Sequence, residues 1–438
     1  MPPFCIRLTF LILTAASVAA AQNPRRLPTV EGAAAPPFEV PAPRPSVSLA
    51  ELEQMALSQH PTVQEAAAAV EAARGRAVQA GLRVNPQIGY EGVDIGEEGT
   101  AGKHAGVVQQ QILTAGKRPL AQEAAQREVF QLQQQLETYV QRVRGDVRMG
   151  YYDVLFAQRR IDVSRELAQI ADTIVDVARR RLEAKDVSSV DLLQAQAEAH
   201  RIGLQRTEAE IQQRAAWRKL AAVVGGAEME PLPLIDEVPR ALPKLSFADA
   251  AARLRGESPE MAVAIAGVER ARAQLSLAEA GRYPNVTLRG GVQRNFATDN
   301  TQGEVGVMVP LQIYDRNQGA ILEAQGQLVA AQREVDRVDR DLQQRLAVAF
   351  QQYDVTYARA QRYERDILPP VRRARELIER GYRQGEFRYD ELLIAQRSVV
   401  QADLDYINAL SELWQTVALI DNLLLSQSLA QPMPPVVP

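Results

Sequence analysis

Leu192-Leu193-Gln194-Ala195-Gln196 returns two hundred positions later as Leu392-Leu393-Ile394-Ala395-Gln396. Working outward, Tyr152-Asp153-Val154 matches Tyr353-Asp354-Val355, and Gly106-Val107 matches Gly306-Val307. Ser48-Leu49-Ala50-Glu51 matches Ser246-Phe247-Ala248-Asp249, His60-Pro61 matches Ser258-Pro259, and Pro86 matches Pro284. The offset drifts only between 198 and 201 over the better part of both halves. A fixed period sustained over that distance reads as a tandem internal duplication of one structural unit.

Each half has the same plan. A helix is expected over 48–83 and again over 246–281, ended by Pro86 and Pro284, since proline cannot continue the hydrogen-bond ladder. Two strands follow, Gln87 to Val93 with Ala105 to Leu113, then Asn285 to Val292 with Val305 to Ile313. In the second half Val286, Leu288, Gly290 and Val292 share a face, as do Val305, Val307, Val309 and Leu311. In the first half Ile88, Tyr90 and Val107 keep the alternation, while Gln109 and Gln111 weaken it.

Very long helices come next, over 118–184 and 318–384. Val129, Leu132, Leu136, Tyr139, Val143, Val147, Gly150, Val154, Ala157 and Ile161 recur in steps of three and four, a narrow coiled-coil seam. Val329, Val335, Val338, Leu342, Leu346, Ala349, Tyr353 and Tyr357 do likewise. At 1.5 Å per residue such a rod reaches about 100 Å and needs neighbours along its length. Pro369-Pro370 should kink the second rod. Turns at Lys185 to Ser189 and Gln384 to Arg388 reverse the chain into returning helices over 190–224 and 390–427.

The flanking segments divide the rest. Arg7, the apolar run Leu8 to Val18 and Ala19-Ala20-Ala21 read as a secretory signal over 1–21. A Pro-rich tail covers 22–46, the first repeat 47–225, a linker 226–244, the second repeat 245–428 and a C-terminal tail 429–438. The one cysteine, Cys5, falls inside the signal, so the mature chain is expected to carry no disulfide and no Cys ligand set. After Ala21 no segment is apolar enough to span a bilayer as a helix, so any crossing must use strands closed into a barrel. Four strands are too few for one chain to close a barrel, so closure demands several chains.

Composition excludes whole classes of function. Of the 438 residues, 46% are hydrophobic and 24% charged, enough for a sizeable core. A net charge of −4 offers no bulk attraction for nucleic acid. There is no Gly-x-Ser-x-Gly and no His-Glu-x-x-His; Gly102-Lys103 and Gly116-Lys117 lack the rest of a phosphate loop. His60, His104 and His200 are far apart, with no metal-ligand spacing; surface or cap roles suit His60 and His200, and His104 falls in an expected external loop. No enzyme, cofactor or metal site is expected. Tyr151, Tyr152 and Tyr353 fit helix packing, and Arg179-Arg180-Arg181 a solvated face.

The chain resembles the TolC-type outer-membrane efflux proteins over nearly all of its mature length. The resemblance rests on the duplicated plan, Gly116-Lys117-Arg118, Pro310-Leu311-Gln312-Ile313-Tyr314-Asp315-Arg316-Asn317-Gln318-Gly319, and Tyr382-x-x-Gly385 followed by Asp390-Glu391-Leu392-Leu393-x-Ala395-Gln396. It implies a mainly α fold with a small β part: helical hairpins forming a periplasmic tunnel, and four strands per chain in a trimeric 12-stranded transmembrane barrel. It implies a homotrimer in outer-membrane lipid, partnered by a periplasmic adaptor (membrane fusion) protein and an inner-membrane pump of the resistance-nodulation-division type. The Asp-Arg-Asn-Gln-Gly stretch resembles the branch serving cobalt–zinc–cadmium and copper-type cation pumps. The same plan also serves drug efflux and type I protein secretion, and a soluble periplasmic coiled-coil scaffold is the rival without a barrel.

By the same resemblance Asp191, Asp390 and Glu391 are gate candidates, carboxylates that a threefold axis would turn into rings. Acidic helix starts also stabilise the macrodipole, and that reading stands beside the gate. The turns holding Lys185, Asp186, Val187 and Ser188, and Gly385, Glu386 and Phe387, are adaptor-docking candidates or ordinary solvated turns. In the family a further acidic residue lies a turn into the last helix, where this chain has Ile394. Phe387 replaces an expected arginine, so the gate's hydrogen bonds should differ.

Overall fold

The computed structural model describes residues 47–99, 101–185, 188–226, 229–232, 234 and 241–429. The expected signal, the Pro-rich tail up to residue 46, residues 430–438, residues 227–228, 233 and 235–240 of the linker, and Asp186 with Val187 lie outside the described residues. Helices α1 (Leu49–Gln59) and α2 (Pro61–Gly81) lead into strands β1 (Gln87–Val93) and β2 (Lys103–Ile112), then helices α3 (Lys117–Glu183) and α4 (Ser189–Val224). The second half repeats the order: α5 (Phe247–Glu257), α6 (Pro259–Ala280), β3 (Val286–Asn295), β4 (Asn300–Met308), α7 (Gln318–Arg362), α8 (Leu368–Gln384) and α9 (Tyr389–Asp421).

The single helices expected over 48–83 and 246–281 are each broken in two. Pro61 and Pro259 sit at the first helical position. The residue before each is forced extended, His60 at ψ 122° and Ser258 at ψ 119°. Ser48 caps α1 in a reciprocal box with Glu51.

The rods also differ from expectation in one place. Helix α3 runs unbroken for 67 residues, about 100 Å. Its counterpart is interrupted by a π-helical turn, Tyr363–Ile367, directly before Pro369-Pro370. The two prolines cannot donate to the carbonyls four residues back, and the wider turn takes up the missing rungs. Helix α9 stops at Asp421 rather than 427, because Leu423, Leu424 and Gln427 adopt positive φ. The chain there is tied to α3: Asn422 Nδ2 donates to Gln141 O at 2.9 Å, and Asp146 accepts from the Gln427 and Ser428 amides at 2.8 and 2.6 Å.

Two cores form along α3. One gathers Leu52, Val143, Val147, Tyr151, Val154, Trp217 and Leu220 of α1, α3 and α4. The other joins Phe156, Val163 and Leu167 to Leu342, Leu346, Phe350 and Tyr353 of α7 and to Leu410, Leu413 and Val417 of α9. The seam residues Tyr139, Val143, Val147, Val154, Ala157 and Ile161 are buried as expected, whereas Val329 is exposed. Tyr353 donates its hydroxyl to Pro243 O at 2.8 Å and accepts from the Leu245 amide at 2.9 Å, which fixes its packing role.

The strands form one antiparallel sheet in the order β1-β2-β3-β4. Its register corrects the reading of β2. Ile88 pairs with Val108, Val108 with Gly290, and Gly290 with Val305. One face therefore carries Ile88, Tyr90, Val108, Ile112, Val286, Leu288, Val292, Val305 and Val307. Val107, Gln109 and Gln111 point to the other face with Gln87, Glu91, Thr287, Arg289, Gln293, Gln302 and Glu304. A shift of one residue exchanges the faces, so the glutamines do not weaken the pattern; they are its polar half. Val107 is an apolar residue on this face, as are Val93, Ala105 and Met308, and it packs over Gly89 and Gly291. The fourth strand ends at Met308, leaving Val309 and Leu311 in the connection to α7. His104 lies in β2, beside Tyr90 and Phe296, not in a loop.

Candidate gate and docking tips

Both hairpin ends are built by capping. At the first, α3 closes on Ala184, and Lys185 turns the chain at φ 61°. Ser188 then caps α4: the Asp191 amide donates to Ser188 Oγ at 3.3 Å, while the Ser188 amide and hydroxyl both donate to Asp191 Oδ2 at 2.9 Å. The Ser188 amide first, and its hydroxyl second, hold the Asp191 carboxyl below the usual carboxylate range. Asp191 is thus an exposed, ionised group already engaged in a helix cap.

The second end is made differently. Gly385 adopts φ 81°, which an L side chain resists, and the Glu386 amide donates to Gly381 O at 2.9 Å. The Phe387 ring lies directly on Gly381, where a Cβ would collide with it. Phe387 therefore serves as a wedge within its own hairpin while keeping 39% of its surface exposed. The Arg388 amide donates to Glu391 Oε2 at 2.7 Å, a one-sided cap with no hydroxyl to return the bond. Tyr382 and Tyr389 flank the turn with ring centroids 5.5 Å apart.

Of the three gate candidates, Asp390 alone connects the hairpins. Its Oδ1 lies 3.4 Å from Arg181 Nη1 of α3 and 3.2 Å from Arg388 Nε. Arg181 is therefore a bridging group rather than a purely solvated one. About two turns further from the tip, Glu198 of α4 meets Arg397 of α9 at 2.7 Å and Arg201 at 2.7 Å, and the Arg201 hydrogen bond lowers its pKa first. Neither bridge is visible in sequence spacing, since the partners lie about 200 positions apart and meet only because α9 packs on the first hairpin. The basic run at the end of α3 reads in the sequence as a solvated face and names no partner. Ile394 is exposed at 61%, as are Val190 at 56% and Leu193 at 63%, so apolar surface remains open near both tips.

The remaining candidates fall elsewhere. His60 is fully buried at the α1–α2 break, not on the surface; its Nε2 lies 3.3 Å from Ser428 Oγ, and burial lowers its pKa despite Asp146 nearby. His200 is exposed on α4. Among the described residues no group of His, Cys, Asp or Glu is arranged to hold a metal ion. On the polar face of the sheet, Arg289 pairs with Glu91 across β2 and lies 3.7 Å from Glu304 on β4.

Comparison with known proteins accords with this architecture. The family model described as outer membrane efflux protein matches residues 52–226 and 251–424. The cobalt-zinc-cadmium resistance protein CzcC of Cupriavidus metallidurans is 31% identical over 289 residues, covering 64% of this chain and 68% of that protein. A membrane protein from Pseudomonas aeruginosa shares the fold with a TM-score of 0.69 at 16% identity, covering 86% of this chain and 90% of that one. The outer membrane protein VceC from Vibrio cholerae does so with a TM-score of 0.67 at 20% identity, covering 86% and 96%. On the family match, the chain belongs to the outer membrane efflux protein family, whose members are transport ducts rather than enzymes.

Proposed function

We propose that this chain is the outer-membrane channel of a tripartite efflux system and that its cargo is heavy-metal cations. The observation that carries the channel reading is the sheet: one face apolar and exposed, the other polar, with β1 and β4 as edges that pair with no strand among the described residues. Ile88 at 85%, Val305 at 89% and Val307 at 65% exposure would be an aggregation surface in water. In a bilayer they meet lipid, and the edges are satisfied by the sheets of other copies. Strands of 7 to 10 residues suit a tilted barrel wall. Three copies give twelve strands, with Gln109, Arg289 and Glu304 facing the lumen.

The rods then continue as a tunnel into the periplasm, where most of the chain lies, with the hairpin turns at the far end. Around a threefold axis Asp191, Asp390 and Glu391 form acidic rings that favour cations. The turns with Lys185, Asp186, Val187 and Ser188, and with Gly385, Glu386 and Phe387, dock a periplasmic adaptor, which in turn joins an inner-membrane pump. The repeated element order supports descent from a duplicated unit. Cation cargo is supported by the resemblance to CzcC and by the Asp315-Arg316-Asn317-Gln318-Gly319 stretch.

The test is growth of a deletion strain, with plasmid rescue, on graded zinc, cadmium, cobalt and copper and on hydrophobic drugs. Selective sensitivity to the cations is expected. Sensitivity to drugs alone would overturn the cargo and leave the duct, while release of the protein by carbonate extraction would overturn the barrel.

A further inference from the structure

The polar face of the sheet is laid out in rows. Register sets Gln87, Gln109, Arg289 and Gly306 in one row. Gly89, Val107, Gly291 and Glu304 make the next, and Glu91, Ala105, Gln293 and Gln302 the third. The charged side chains of these rows converge. Arg289 of β3 reaches past β2 to pair with Glu91 of β1, and its Nε lies 3.7 Å from Glu304 Oε1 of β4. The middle row leaves room for this reach, because Gly89 and Gly291 place no side chain between the outer two.

One guanidinium therefore sits between two carboxylates, one from each edge strand. Each carboxylate keeps nearly half of its side chain open, and Arg289 more than a quarter. Arg289 Nε is shielded yet has no hydrogen-bond partner. Ion pairs as open as these add little to stability. One row away, Gln87 and Gln109 tie β1 to β2 with no charge at all. Cohesion between strands thus gives no reason for a cation flanked by two anions.

Cation passage gives one. Lys103, the other cation of this face, is already held by Asp94 at 2.7 Å. Without Arg289, Glu91 and Glu304 would have no strand cation to answer them. Carboxylate oxygens and water are ligands that divalent cations accept. A conducting wall must bind weakly enough to let its ion leave. We propose that Arg289 is a built-in counter-ion: it fills the place between Glu91 and Glu304 that a divalent cation would otherwise take, so that cations pass the barrel without being retained. This rests on the reading that the polar face lines the lumen of a cation duct.

The test is zinc binding and ion selectivity of the full chain. In equilibrium dialysis in detergent, Arg289→Gln should retain about one zinc ion per chain more than the unmodified protein. Arg289→Lys, which keeps the charge, should retain no extra zinc. Adding Glu91→Gln and Glu304→Gln to Arg289→Gln should return zinc to the unmodified level. Equal zinc in Arg289→Gln and the unmodified chain would overturn the counter-ion; Arg289→Ser takes its place if Arg289→Gln does not assemble.

Planar-bilayer recordings place the cluster in or out of the ion path. Twelve strands about 4.8 Å apart and tilted about 40° close at a radius of about 12 Å. Charge on the wall is screened over about 10 Å at 0.1 M salt and about 30 Å at 0.01 M, so the low-salt recording is the sensitive one. There, zinc added on the loop side should lower the cation-to-anion permeability ratio of Arg289→Gln about twofold more than that of the unmodified channel. A chelator should reverse the change, and 1 M salt should abolish it. Extra zinc bound with no change in this ratio would put the cluster outside the ion path and overturn the proposal. An unmodified channel that conducts while Arg289→Gln gains no zinc removes only the counter-ion. An unmodified chain that conducts no ions removes the duct reading itself.

Discussion

The two long rods have the same length and opposite construction. Lys117–Glu183 is one continuous helix, whereas Gln318–Gln384 is an α-helix, a π-helical turn and a second α-helix. The tips differ in the same sense. The first is closed by the reciprocal Ser188–Asp191 cap, and the second by a one-sided bond from the Arg388 amide to Glu391 and a ring wedged on a glycine. One plan, repeated, has yielded a stiff hairpin and one with a built-in joint between two helical pieces. Local weakness of this kind is where opening motions are drawn from.

Moving the joint tests that contrast most severely. Gln169 of α3 is the counterpart of Pro370 by the offset of 201 and lies exposed in mid-helix. Gln169→Pro should cost about 3 kcal/mol or more, read as a lowered melting temperature in detergent. Pro369→Ala with Pro370→Ala should lose no stability and should slow hydrogen exchange over 363–367; unchanged exchange would show that the prolines do not cause the turn.

The wedge comes next. Gly381→Val collides with the Phe387 ring and should destabilise the second hairpin by about 1–3 kcal/mol, with Phe387→Ala in the same chain recovering most of it. A smaller effect separates the caps. Ser188→Ala should cost about 1 kcal/mol, while Arg388→Ala, which leaves the backbone bond to Glu391 in place, should cost a few tenths at most. The first cap also has an acid limit. Because the folded Asp191 carboxyl lies below its ordinary value of 3.8, its contribution is complete above that pH and fades as pH falls through the folded pKa. Asp191→Asn should remove that acid sensitivity, measured as local exchange at the start of α4, whereas Ser188→Ala, which keeps the amide donor, should only lessen it.

The smallest effect is expected at the bridge between the hairpins. Arg181→Ala breaks a half-exposed pair at 3.4 Å and should change stability by about 0–1 kcal/mol. A larger loss would mean that Asp390 is more deeply shielded in the assembled protein than in one chain.

Much of this was legible from periodicity. The repeat offset, the heptad steps and the alternation of Val286, Leu288 and Val292 report which face of an element is buried, and they locate most helices and strands to within a few residues, β4 lying five residues earlier than its alternation suggests. The misreadings share a cause. Val107 looked like part of the apolar face because it is apolar, yet pairing places Val108 there. Pro61 reads in the sequence as a repeat marker, but its steric demand on His60 breaks the helix. The end of α9 was placed late because Leu423 and Leu424 are apolar, although they serve a strap folded onto α3.

The sequence by itself therefore determined the order and length of the elements and the closing of each hairpin, because helix period, proline geometry and caps act within a few residues. Only the tertiary structure decided which strand face is apolar, which arginine meets Asp390, and which strap residues tie the end of α9 to α3. Those depend on register and on the depth at which helices pack, and both are set by contacts between residues tens to hundreds of positions apart.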